Sequence, residues 1–286
     1  MSPLISVPDL MTLVTTPATT RADVTLLDVR WRLGGPPGAA EHAAGHVPGA
    51  AYVDLDTALA GPPGPGTGRH PLPEVQRFAR AMREAGVSGT RPVVVYDDWQ
   101  GRAAARAWWL LRWAGHDDVR VLDGGWSAWV EAGGAVETGP VTVRPGDFEP
   151  RPARMPTVDA DGAALLAADE RGGLLVDARD PARYRGEVEP VDPVAGHVPG
   201  AVNVPTGANL GDDGRFRSPR ELAATYAAAR ERATAVYCGS GITAAHDILA
   251  MEVAGIEAAL YPGSWSAWVS DPARPVATGE KGTTRP

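Results

Sequence analysis

Gly-His-Val-Pro-Gly-Ala stands at residues 45–50 and again, letter for letter, at residues 196–201. The surroundings repeat as well. Leu26-Leu27-Asp28-Val29-Arg30 precedes the first copy, and Leu175-Val176-Asp177-Ala178-Arg179 precedes the second. Further on, Val93-Val94-Val95-Tyr96 is echoed by Thr234-Ala235-Val236-Tyr237. Gly124-Gly125-Trp126-Ser127-Ala128-Trp129 is echoed by Gly263-Ser264-Trp265-Ser266-Ala267-Trp268. Four matches in the same order mean a duplicated domain, because the spacing far exceeds the roughly 20–50 residues of solenoid repeats.

Each copy reads as α/β. The runs at 24–28, 93–96, 119–122, 174–177, 234–237 and 258–261 are short and apolar, as buried parallel strands are. Helical stretches are expected at 74–85, 102–114, 219–232 and 243–254, with Ser218-Pro219 as an N-cap followed by proline at the first helical position. Trp108, Trp109 and Trp113 fall at helical spacing and read as core. The prolines at 140, 145, 150, 152 and 156 exclude a helix or a central strand there, so this stretch reads as the linker. The expected domains are 1–146 and 147–286, each a mostly parallel sheet flanked by helices.

With 286 residues, 44% of them apolar and 22% charged, the chain can fill two cores. Its net charge of −8, without any run of five basic residues, argues against nucleic-acid or anionic-membrane partners. No apolar stretch reaches the length of a bilayer span, and the N-terminus does not read as an export signal, so a cytoplasmic location is expected. The single cysteine, Cys238, cannot close an internal disulfide or build a Cys-rich zinc site. No metal or cofactor is called for.

Cys238 ends an apolar strand and is followed by Gly239-Ser240-Gly241-Ile242-Thr243, with a helix beginning near Ala244. Ligands of open α/β sheets bind at the carboxyl ends of the strands. A glycine-containing loop can turn its N–H groups inward, and a helix N-terminus adds partial positive charge. Such a cradle favours a thiolate over a thiol, which makes Cys238 a candidate nucleophile. The alternative is a buried structural cysteine, and a strand-end position before Gly-x-Gly is an odd way to fill a core. In the first copy Asp97 takes the corresponding place, so only one copy can carry thiol chemistry.

With these residues in view, the chain resembles the tandem-rhodanese sulfurtransferases of the thiosulfate and 3-mercaptopyruvate family. The resemblance runs from about Leu4 to Thr278. It rests on Val176-Asp177-Ala178-Arg179, Gly196–Ala201, the loop Cys238–Thr243 and Gly263-Ser264-Trp265. It implies two rhodanese-like domains, an inactive first and a catalytic second. It further implies that Cys238 takes up sulfur as a persulfide and passes it to cyanide, a small thiol, thioredoxin or a protein thiol. The loop differs from the Cys-Gly-Ser-Gly-Val-Thr of mercaptopyruvate enzymes only at Ile242, whereas thiosulfate-preferring relatives often carry basic residues after the cysteine. By the same resemblance Gly239, Ser240, Gly241, Ile242 and Thr243 line the substrate, and Arg183 binds the donor's anionic end. A Ser–His relay would fall on Ser240 and His46, with no aspartate at a matching position. One departure stands out. The mercaptopyruvate enzymes have a second arginine in a Glu-Pro-Arg stretch, where this chain has Glu189-Pro190-Val191. Arg179 and Arg185 are the candidates to replace it. A rhodanese-fold phosphatase would need a longer loop ending in arginine, and a non-catalytic binding module would be expected to lack the cysteine.

Overall fold

The computed structural model describes residues 2–15, 24–64, 66–280 and 283–285. By its contacts the chain divides into two units. The first comprises the chain up to Gly61, Pro73–Met155 and Asp212–Phe216; the second comprises Pro62–Leu72, Pro156–Gly211 and the chain from Arg217. A short segment from each half of the sequence thus belongs to the unit built mainly by the other half.

The first unit holds a five-stranded sheet. Its strands are β1 (Leu4–Ile5), β2 (Thr25–Asp28), β3 (Ala51–Tyr52), β4 (Val93–Tyr96) and β5 (Val119–Leu122), in the order β1-β5-β4-β2-β3 and all parallel. The second unit repeats it with β6 (Gly173–Asp177), β7 (Val202–Asn203), β8 (Ala233–Tyr237) and β9 (Ala259–Leu260), in the order β7-β6-β8-β9, again parallel. A single bridge from Thr157 to Leu260 stands where the first unit has β1. An antiparallel pair, β10 (Val276–Thr278) and β11 (Thr283–Arg285), follows.

Central strands bury both faces, and the VVVY of β4 and the LLVD of β6 are buried at every position. Helices Val75–Glu84 and Arg102–Trp113 form as the periodicity predicts. The expected 219–232 helix is shorter: Pro219–Thr225, closed at its start by a Ser218–Glu221 capping box, then a 3₁₀ turn at Ala227–Ala229. The proline-rich stretch forms neither helix nor strand between residues 141 and 155. It lies along the first unit, where Gly146 N–H donates to Arg83 O and Arg151 N–H to Ala114 O.

The repeated motifs prove to be parts of one device built twice. In the first unit Arg30 pairs with Asp28 at 2.6 Å and donates to the carbonyl of Gly45, with its guanidinium over Trp126. In the second Arg179 pairs with Asp177 at 2.7 Å and donates to Gly196 O, its guanidinium 4.6 Å from the Trp265 ring centre. Tyr96 and Tyr237 accept from the N–H groups of Val47 and Val198. A buried arginine needs this many partners to offset its desolvation, which is why these separated motifs recur together.

Candidate active site

Cys238 follows β8, and its side chain is 1% exposed. The chain leaves the strand through Gly241, which adopts a left-handed φ of +82°. A side chain there would also meet Pro262 O at 2.5 Å, so glycine is demanded twice over. Helix Ala244–Val253 begins directly afterwards. The Cys238 sulfur lies 3.1 Å from the Gly241 N–H, which donates to it. That is the inward-facing amide expected of an anion-stabilising loop.

Ser264 completes the immediate surroundings. It is fully buried, accepts from Cys238 N–H at 3.1 Å, donates to Tyr261 O and lies 4.0 Å from the sulfur. Its φ is +52°, uncommon for any residue but glycine. The first unit has Gly125 at the equivalent place with φ +59°. The second copy therefore accepts backbone strain in order to hold a hydroxyl beside the cysteine.

Segment Pro62–Leu72 supplies two further groups. Gly68, with φ +81°, packs so closely that an added side chain would meet Gly263 O at 2.5 Å, and Arg69 N–H donates to Ser266 Oγ. His70 Nδ1 then lies 2.8 Å from Ser240 Oγ, within hydrogen-bond distance. The Arg69 guanidinium pairs with Asp192 and approaches Gly239, where an added Cβ would lie 3.1 Å from its Nη2. Arg183 also approaches, 3.6 Å from the same point.

Arg183 is anchored through Glu189 at 2.5 Å and Asp192 at 3.4 Å. Burial works to raise the Glu189 carboxyl, but Arg183 and the N–H groups of Asp192 and Val191 prevail and hold it below the usual range. Burial pushes Asp192 up, against the pull of Arg69.

His46, the histidine expected in a relay, packs among residues of its own unit. It is buried in the first unit, stacked on His42 at 3.9 Å, with Nδ1 donating to His42 O. Its counterpart His197 behaves alike, donating to Tyr184 O and stacking on Tyr184. Within the second unit, His70 is the histidine beside Ser240. Neither candidate for the second donor arginine reaches Gly239 as Arg69 does. Arg179 is spent on Asp177, Glu189 and Gly196, and Arg185 pairs with the exposed Glu187. Arg69 and His70 sit in a Gly/Pro-rich stretch without periodicity, which assigns them to no element. The one available signal was a lone Arg-His pair between runs of glycine and proline.

In the first unit Asp97 fills the same cradle. Its carboxylate accepts from the N–H groups of Trp99, Gly101, Ala103 and Ala104 at 2.7–2.9 Å. Gly101, with φ +83°, corresponds to Gly241, yet four steps separate Asp97 from Gly101 and three separate Cys238 from Gly241. The first loop thus reaches its glycine one residue later and closes around its own carboxylate.

A family model described as the rhodanese-like domain matches residues 15–132 and 161–271. A Pseudomonas aeruginosa protein, provisionally named a 3-mercaptopyruvate sulfurtransferase, is 47% identical over 267 residues, 90% of this chain and 93% of that one. SseB of Mycobacterium tuberculosis, with the same reserve named a thiosulfate sulfurtransferase, is 46% identical over 262 residues, covering 90% and 91%. The crystal structure of SseA from Escherichia coli, described with the rhodanese fold and mechanism of 3-mercaptopyruvate sulfotransferases, matches with a TM-score of 0.81. It shares 31% identity and covers 93% of this chain and 100% of SseA.

Proposed function

The chain belongs to the rhodanese family of sulfurtransferases, and from that premise we propose that Cys238 takes a sulfane sulfur from 3-mercaptopyruvate, or from thiosulfate, and hands it to a thiophilic acceptor. The observation that carries this reading is the Cys238 sulfur at a strand end, receiving the Gly241 N–H with Ser264 beside it.

With mercaptopyruvate the Cys238 thiolate attacks the donor sulfur. A sulfur–sulfur bond forms, the carbon–sulfur bond breaks, and its electron pair leaves on pyruvate enolate. The donor's thiol proton must end on the enolate carbon, and Ser240 with His70 is the pair in this unit suited to pass it. With thiosulfate the leaving group is sulfite and no proton moves. The persulfide then gives its outer sulfur to cyanide or a thiol, thioredoxin among the candidates, and Cys238 is regenerated.

Arg183 binds the donor's anionic end in this reading, and the loop Gly239–Thr243 lines the reacting sulfur. Gly239 and Ser240 carry no charge themselves, and the two guanidiniums that approach Gly239 are met by Asp192 and Glu189. This favours a developing enolate oxygen over a compact dianion, and mercaptopyruvate over thiosulfate. No helix among the described residues is long and apolar enough to cross a membrane. A cytoplasmic setting fits the unpaired cysteine.

Incubation with donor should raise the intact mass by one sulfur atom, and Cys238→Ser should abolish both adduct and turnover. Turnover surviving in Cys238→Ser would overturn the mechanism. The donor follows from kcat/KM for the two compounds with one acceptor. An equal or higher value for thiosulfate would defeat the mercaptopyruvate preference.

A further inference from the structure

Building on the sulfur-transfer reading, we propose that Arg69 is the second donor-binding guanidinium of the site, and that Asp192 is an internal counter-ion whose place a donor's carboxylate shares. The three heavy atoms nearest to a Cβ built on Gly239 are all guanidinium nitrogens, Arg69 Nη2 at 3.1 Å and the Arg183 Nη pair at 3.6 and 3.7 Å. Two planar cations thus converge on the residue next to Cys238, and the absence of a side chain at Gly239 leaves them room. The chain lacks an arginine after Glu189-Pro190, and this segment fills the gap from a distant part of the sequence.

Asp192 spends its two oxygens on the two cations, Oδ1 on Arg69 and Oδ2 on Arg183, with its side chain 4% exposed. Glu189 is committed elsewhere as well, to Arg179 and to two backbone N–H groups. Asp192 is therefore the carboxylate whose hold on the cations an incoming anion competes with. Arg69 Nε is buried and has no hydrogen-bond partner among the described residues, so the guanidinium retains donor capacity.

The charges then set the donor class. Arg69 and Arg183 are balanced by Glu189 and Asp192, while Arg179 is balanced by Asp177. With these pairs neutral and the Cys238 thiolate adding a negative charge, one extra negative charge is taken more readily than two, so a monoanionic 2-oxo acid is favoured over a dianion. Neutralising Asp192 would remove one negative charge from beside the two guanidiniums and move the preference toward the dianion.

The test uses Arg69→Met, Arg69→Lys and Asp192→Asn in the full chain. Arg69→Met should lower kcat/KM for mercaptopyruvate about 30-fold, chiefly through KM, because a charged partner of the donor is lost. Arg69→Lys should recover part of it, since the charge remains and the fork does not. Asp192→Asn should raise the ratio of kcat/KM for thiosulfate to that for mercaptopyruvate by about fivefold or more. A second measurement is independent of turnover. Pyruvate, a carboxylate without transferable sulfur, should slow iodoacetamide alkylation of Cys238 in the wild type, less in Arg69→Lys and hardly at all in Arg69→Met. If neither donor is turned over but pyruvate still protects in this pattern, the sulfur-transfer reading fails and the anion site stands. Equal protection by pyruvate in all forms, no protection in the wild type, or an unchanged donor ratio in Asp192→Asn would overturn the proposal.

Discussion

His70 and Ser264 show how much of the site depends on single atoms. His70 Nδ1 lies 2.8 Å from Ser240 Oγ. The two donors differ in whether a proton has to move. His70→Asn should lower kcat with mercaptopyruvate about a hundredfold, the usual worth of a positioned proton-transfer group, and flatten the pH–rate profile. Thiosulfate turnover should change far less. Equal losses with both donors would assign His70 a purely structural role. Ser264 shows a different economy. A non-glycine residue at φ +52° carries strain of about 1 kcal/mol or more, yet its hydroxyl satisfies the Cys238 N–H in a fully buried place. Left without an acceptor, that N–H would cost about 1–3 kcal/mol, so the serine offsets its own strain.

At the scale of elements, the two strand-to-helix loops are the informative comparison. The Asp97 loop is closed by four backbone N–H bonds to one buried carboxylate. Asp97→Asn replaces an acceptor by an NH₂ that faces N–H groups. It should destabilise the protein by about 1–3 kcal/mol, measured by denaturant unfolding. Sulfur transfer should stay within about tenfold of wild type. A thousandfold loss in a folded variant would overturn the inactive-copy reading. The same comparison explains what was legible in the sequence. Strands β2, β4, β5, β6 and β8 stood out because burial on both faces leaves continuous apolar runs, and the Cys238 loop because a cysteine at the end of such a run meets Gly-x-Gly. The β3 and β7 strands are two residues each, too short to show a period. The early end of the helix after Ser218 was not legible, because the alanines and arginines that follow carry no stop signal. His46 was legible through its repeated motif, and repetition here reflects a buried structural network present in both copies. Arg69 and His70 are held in place by packing against Gly263 and Ser266, nearly two hundred residues away in the chain.

At the scale of the whole molecule, each copy buries the histidine of its repeated hexapeptide. Burial holds His197 below its ordinary value of 6.5, despite the bond from Nδ1 to Tyr184 O. His42 and His116 are lowered for the same first reason. Unfolding frees these rings to take a proton. Their contribution to stability is therefore complete above about 6.5 and is lost as pH falls toward the folded values, at up to about 1.4 kcal/mol per pH unit for each ring. Asp98, lifted by burial to about 6, works in the opposite sense over part of that range. The share of His197 is best isolated by His197→Asn, which keeps a donor near the Tyr184 carbonyl. Denaturant midpoints compared at pH 7.5 and 5.5 should fall less in the variant than in the wild type. An equal fall would remove His197 from the account.

Cys238 is the chain's single cysteine, and this has a consequence for its exposure to oxidants. A thiolate oxidised to a sulfenic acid is ordinarily rescued by a neighbouring thiol, through a disulfide that a reductase can open. No such neighbour exists in this chain. Burial limits the access of peroxide, but once oxidised the residue has to wait for a thiol from another molecule. Repair is bimolecular by construction, and its rate is set by the surroundings rather than by the fold.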